Sequence, residues 1–295
     1  MENVMKHKKT IRVLVFCIVV MAGLAAGMGI FSKQGSGPFE YQSIRGKTVN
    51  IYGKGIYQHM SAEVAVQGIA QDYVTFFIGI PLLLIAFIWA AKGSLKARFL
   101  QAVTLGYFLV TYLFYTAMGM YNVMFLGYVF LLGTSFFAFT LTMVDFDLAQ
   151  LPSLFRENTP VRFAGGFLIF NTISIALLWL SIVVPPLIDG TVFPAELEHY
   201  TTLIVQGFDL GLLLPIAFVS GLLLIRRKPF GFLLVPVYFV FLSLLMTALT
   251  AKIIAMAMVG VNVFPVVIII PAFNLTAIFC SIILLKNLIE PQTVS

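Results

Sequence analysis

The sequence predicts an all-α integral membrane protein, a polytopic bundle of about eight transmembrane helices, and three observations predict it. Of its 295 residues 60% are hydrophobic and 10% charged, with a mean hydropathy of +1.02; soluble domains carry about 25% charged residues. The apolar residues fall in successive runs bounded by charges, each near the ~20 residues that cross the hydrocarbon core as a helix. The alternating pattern of membrane β-strands is missing, which leaves helices as the form that satisfies every backbone group within lipid.

Taken in order, Lys6, Lys8 and Lys9 precede a first span over 11–31. This run exceeds the roughly 7–15 apolar residues of a signal peptide, and Gly27-Met28-Gly29 makes a poor cleavage site, so an uncleaved first helix is expected. An outer loop over 32–72 opens on the turn-rich Lys33-Gln34-Gly35-Ser36-Gly37-Pro38. It ends in an amphipathic helix over 59–72, expected to lie at the membrane interface. Further spans are expected over 73–91, 99–120, 123–144, 163–188, 203–225, 230–258 and 264–285, all in one transmembrane domain over 1–295. Pro81, Pro215, Pro236 and Pro271 should kink the spans that contain them.

The charges set the threading. The basic residues lie in short clusters beside apolar runs, the pattern of topology signals, and no patch suits a nucleic acid. With the N-terminus inside, Lys6, Lys8, Lys9, Arg12, Lys92, Lys96, Arg98, Arg156, Arg162, Arg226, Arg227, Lys228 and Lys286 all fall inside. Every short outer loop lacks Lys and Arg. The expectation is a multi-pass protein of the plasma membrane with both termini cytoplasmic. Cys17 and Cys280 each fall within a span and read as packing residues.

The two halves share a loop plan. Val66-Gln67-Gly68 precedes Asp72 as Val205-Gln206-Gly207 precedes Asp209, and Asn122-Val123 and Asn262-Val263 occupy the same tight turn. A four-plus-four parallel repeat, as in several transporters, would account for this.

Candidate chemistry is sparse. No phosphate loop, zinc signature or nucleophile elbow occurs, so no catalytic residue is indicated and no cofactor is specified. The charges inside spans matter most, because a charge in lipid needs a partner or a task. Lys252 stands alone in Ser243–Gly260, and Asp72 and Asp209 sit near the outer boundary. Counting about 1.5 Å per residue, Lys252 falls at the outer edge of the bilayer, where 253–264 would cap the bundle, and Asp209 lies slightly deeper. A second constellation lies in the outer loops: His59 and Glu63, four apart and on one face if helical, with Glu196, Glu198 and His199. These are candidate metal ligands or acid–base groups.

Three function classes follow: transport or permeation of a small solute, a membrane-embedded enzyme with an outward His/carboxylate site, or a non-catalytic subunit or sensor. Beyond the bilayer, the partners to consider are a small-molecule substrate, a second copy of the chain, or a partner subunit.

Overall fold

The computed structural model describes residues 6–258 and 260–290. Among these, eight helices are long and apolar enough to cross a membrane: α1 Lys8–Phe31, α2 Ala62–Ala91, α3 Leu95–Met118, α4 Phe125–Val144, α5 Val161–Ile188, α6 Ile204–Ile225, α7 Pro229–Met258 and α8 Val266–Asn287. Large apolar side chains such as Phe16, Ile88, Phe137 and Leu177 point outward from them. The chain is a multi-pass helical membrane protein in contact with lipid.

Two helices form the centre. About two-thirds of the apolar core of α3 (61%) and α7 (67%) is buried, against a third or less in the other six. They pack on each other, and α7 also meets α2, α6 and α8. α3 carries the buried polar residues Arg98, Gln101, Thr104 and Thr111, so the least apolar span is one of the two most shielded from lipid.

The residues ahead of α2 are more ordered than a turn-rich loop suggests. Strands β1 Phe39–Gln42 and β2 Thr48–Ile51 form an antiparallel hairpin, with Phe39 opposite Ile51 and Gln42 opposite Thr48. Helix α2 then begins at Ala62 and runs unbroken into the second span. The helix expected over 59–72 is thus continuous with the second span. It packs on α1 and α7, which cover its buried residues Ala65 and Ala70.

Two of the four expected proline kinks take a different form. A π-helical turn, Thr75–Gly79 in α2 and Asp209–Leu213 in α6, sits immediately ahead of each span's proline, Pro81 and Pro215. Proline lacks an N–H and crowds the carbonyl four residues back, and a wider turn before it relieves that conflict. Pro236 and Pro271 lie inside helices that run on without a break. Each interrupted span ends in a left-handed residue, Gly93 (φ 94°) or Arg227 (φ 52°), and α3 and α7 start two residues later. In the turns after α3 and α7, Asn122 and Asn262 accept from the backbone N–H two residues on, at 2.8 and 3.1 Å.

The end with the Lys/Arg-rich loops is closed. Phe99 packs against Phe146 and Phe155, and Phe155 against Phe232, while the Arg98 guanidinium lies 4.4 Å from the centre of the Phe146 ring. Glu290 accepts from the backbone N–H groups of Leu95 and Lys96 at 2.7 and 3.1 Å. It thereby satisfies donors at the start of α3 that have no partner within the helix.

Helices α5 and α6 meet at Gly165 and Gly221. A Cβ at Gly165 would stand 2.7 Å from the Gly221 carbonyl oxygen, and one at Gly221 would stand 2.8 Å from that of Gly165. Small residues permit such close helix approach in lipid. Gly221→Leu should cost about 1–3 kcal/mol through overpacking, read as a lower thermal midpoint in detergent. Gly133→Ala, where nothing lies within 4 Å, should leave the midpoint unchanged or higher.

Candidate functional site

The helix faces that meet at the centre mix apolar side chains with a few polar ones. In α3 the residues Tyr107, Val110, Thr111, Phe114, Tyr115 and Met118 recur at helical spacing and so share one face. In α7, Phe241, Leu245, Leu249 and Lys252 do the same. Between these faces, Gln71 of α2, Trp179 of α5 and Asp209 of α6 complete the wall of a cavity of about 340 Å3. Glu196, Tyr200 and Thr202 of the loop between α5 and α6 lie at its rim, at the end of the bundle that carries the hairpin.

The three charged residues singled out in the sequence converge on this cavity. Asp209 and Lys252 line it directly. Asp72 lies just behind the wall, 2% exposed, and Asp72 and Asp209 are the two carboxyl groups whose charge reaches Lys252. α7 continues past Lys252 to Met258, so the first part of the segment expected to cap the bundle is helical, and Lys252 is half-buried within this helix. Among the described residues, no ion pair joins it to either acid and no hydrogen bond satisfies its amine. Asp209 and Lys252 therefore share a cavity without a closed bridge between them.

Both acids are held by aromatic donors. The Tyr57 hydroxyl donates to Asp72 Oδ2 at 2.5 Å, and the Tyr115 hydroxyl lies 3.1 Å from Asp72 Oδ1 and 3.1 Å from the Gly68 carbonyl. Tyr115 has one proton, which it shares between these two acceptors. Burial, and next the Asp72 carboxylate beside it, push the Tyr57 phenol well above its ordinary value, so it stays a donor. Trp179 Nε1 donates to Asp209 Oδ2 at 2.8 Å. Below them, Tyr107 accepts from Gln71 Nε2 at 2.7 Å and lies 2.9 Å from Thr75 Oγ1. Two glycines make room. A Cβ at Gly29 of α1 would lie 1.7 Å from Asp72 Oδ2, and one at Gly68 would lie 2.8 Å from Tyr57 Cε1.

A tied loop covers the rim. Arg45 in the β1–β2 turn donates to the carbonyls of Glu198 and Tyr200, and Lys47 Nζ donates to the Ala195 carbonyl at 2.6 Å. Ser61 N donates to the Tyr200 hydroxyl at 3.2 Å. Burial raises the Tyr200 phenol above its ordinary value, so this hydroxyl also remains protonated.

No protein family, curated protein or solved structure matches the chain. The site therefore rests on its own geometry.

The outer His/carboxylate constellation takes a different form from the one expected. His59 precedes the start of α2 at Ala62, so it shares no helical face with the exposed Glu63. His199 Nε2 lies 3.0 Å from the carbonyl oxygen of His59; a carbonyl only accepts, so this nitrogen carries its proton and is not free to bind a metal. Glu196 lies at the cavity rim, and the Glu198 carbonyl is engaged by Arg45. Among the described residues, no three His, Cys, Asp or Glu gather as a metal site.

The partners of the acids, Tyr57, Tyr115 and Trp179, were not singled out in the sequence. The one available signal was the run of tyrosines at helical spacing in α3, in a protein where such spacing more often marks core.

Tyr57→Phe removes a donor from a buried acid and should cost about 1.5–3 kcal/mol, measured as thermal stability. Gly29→Ala should also destabilise, whereas Gly23→Ala, whose Cβ would meet only Ile80 at 3.9 Å, should not. Combining Gly29→Ala with Asp72→Ala should cost less than the two changes summed, because contacting residues are non-additive. Equal behaviour of Gly29→Ala and Gly23→Ala would contradict the close fit of Asp72 against α1.

Proposed function

We propose that this protein moves a small polar solute across the plasma membrane, binding it in the cavity bounded by α2, α3, α6 and α7. The observation that carries this reading is Lys252, which lines the same cavity as Asp209 while no described residue pairs with its amine. An ionisable group at membrane depth marks a solute path or a counter-ion site. The cavity volume lies in the lower part of the ~300–1,000 Å3 range of small-molecule sites.

The lining suggests the solute's chemistry. Lys252 offers a donor to an anionic or carbonyl group, and Asp209 an acceptor for an amine or hydroxyl. Phe114, Phe241, Leu245 and Leu249 give an apolar wall between them. A small zwitterion or polar amphiphile matches that arrangement. Asp72, clamped by two phenols behind the wall, keeps a second acid within electrostatic reach of Lys252.

The orientation follows from charge. With the Lys/Arg-rich loops in the cytoplasm, both termini are cytoplasmic and the cavity opens outward. The aromatic seal of Phe99, Phe146, Phe155 and Phe232 then closes the cytoplasmic side, as in an outward-open carrier. A four-plus-four repeat fits this reading. The paired π-turns and prolines, the left-handed Gly93 and Arg227, and the Asn122 and Asn262 turns recur in the same order in both halves. Binding at the interface of two related halves is a recurrent transporter design.

The test has two stages. Small zwitterions and polar amphiphiles are screened for those that raise the thermal midpoint of the purified protein, and their uptake is then measured in proteoliposomes. Asp209→Asn and Lys252→Met should each lower uptake by about tenfold or more, the loss of roughly 1.4 kcal/mol or more of interaction. Unchanged uptake in both variants would overturn the reading.

A further inference from the structure

A second cavity lies at the opposite end of the bundle from the solute site. It has a volume of about 590 Å3 and is open, where the start of α5 meets the end of α6, and its lining includes Thr159, Arg162, Phe163, Ile225, Arg226 and Arg227. Three exposed arginines thus line one hollow, and no Asp or Glu lines it. Among the described residues, none of the three arginines forms an ion pair or a side-chain hydrogen bond. Like charges gathered without a counter-charge repel, so an anion here would be attracted by all three.

The backbone adds a second observation. Arg227 adopts a left-handed conformation (φ 52°), where the matching turn after α2 has Gly93 (φ 94°). A non-glycine residue in this region is strained, and such strain persists where something else fixes the residue. The side chain that glycine would lack is one of the three lining the hollow.

The walls differ from a free-anion site. Phe163 is 52% exposed and stands with Ile225 beside the arginines, giving an apolar flank where α5 begins and α6 ends. The close Gly165–Gly221 crossing brings the α5 and α6 backbones together within the bundle, next to the hollow.

We propose that this cavity binds the phosphate of an anionic membrane lipid, with Arg162, Arg226 and Arg227 on the headgroup and an acyl chain along Phe163. Guanidinium groups match phosphate oxygens in paired hydrogen bonds, and basic hollows between spans suit anionic headgroups. This site is separate from the solute cavity and does not depend on the transport reading.

The test is native mass spectrometry of the full-length protein in detergent, titrated with phosphatidylglycerol, phosphatidylcholine or inorganic phosphate. Phosphatidylglycerol should bind at least about tenfold more tightly than phosphatidylcholine, and R162Q/R226Q/R227Q should abolish that preference. K9Q/R12Q/K92Q, which removes three exposed charges elsewhere at the same end, should keep it. Arg227→Gly guards against misfolding, because glycine suits the left-handed turn; it should be at least as stable as the parent and still bind phosphatidylglycerol several-fold more weakly. Equal loss in both triple variants would show general surface charge and overturn the proposal. So would equal affinity for the two lipids, or full binding in Arg227→Gly. Displacement of phosphatidylglycerol by equimolar inorganic phosphate would make this a free-phosphate site and equally overturn the lipid assignment.

Discussion

The rest of the structure is arranged around a carboxyl group that has almost no access to water. Asp72 is 2% exposed inside a helical bundle, and a buried acid without partners is costly. The chain meets that demand from three separate elements. Tyr57 comes from the loop ahead of α2, Tyr115 from α3, and Gly29 of α1 leaves the space the carboxyl group occupies. Because these contacts need the loop and two helices in register, they also fix how α1, α2 and α3 pack. The π-turn at Thr75–Gly79 follows one turn later, a feature common at functional sites.

The same logic explains why α3 and α7 occupy the centre. Both carry polar groups that lipid would penalise and bury them against neighbouring helices. Their meeting produces an interior that is polar on the hairpin side, around Tyr107, Asp209 and Lys252, and aromatic at the opposite end, around Phe99 and Phe232. The cavity thus opens at one end of the bundle and aromatic packing closes the other. The hairpin, through Arg45 and Lys47, and Ser61 are tied to the loop before α6 and shape the mouth of that cavity.

Much of this was legible in the sequence, for identifiable reasons. Helix existence was legible because a span in lipid leaves a long apolar run bounded by charge, and the eight described spans fall close to the eight expected. Asp72, Asp209 and Lys252 could be singled out because a charge within such a run stands out against its neighbours. What charge contrast does not reveal is who holds the charge. Tyr57 looks like any loop tyrosine, and Trp179 like any interfacial aromatic, because their roles depend on long-range packing. The packing of residues 62–72 was hidden for a related reason. An apolar face reads the same whether lipid headgroups or α1 and α7 cover it. The outer histidines were attractive as residue types, but the start of α2 at Ala62 and the His199 contact to the His59 carbonyl arrange them otherwise.

Lys252 lines a cavity that opens at the end of the bundle opposite the Lys/Arg-rich loops. Cysteine accessibility tests it most directly. With Cys17 and Cys280 replaced by alanine, Lys252→Cys is introduced and the protein is placed in sealed vesicles of known orientation. A membrane-impermeant maleimide added to the hairpin side should label position 252, and the same reagent confined to the basic side should not. Labelling only from the basic side, or only by a membrane-permeant reagent, would contradict the account.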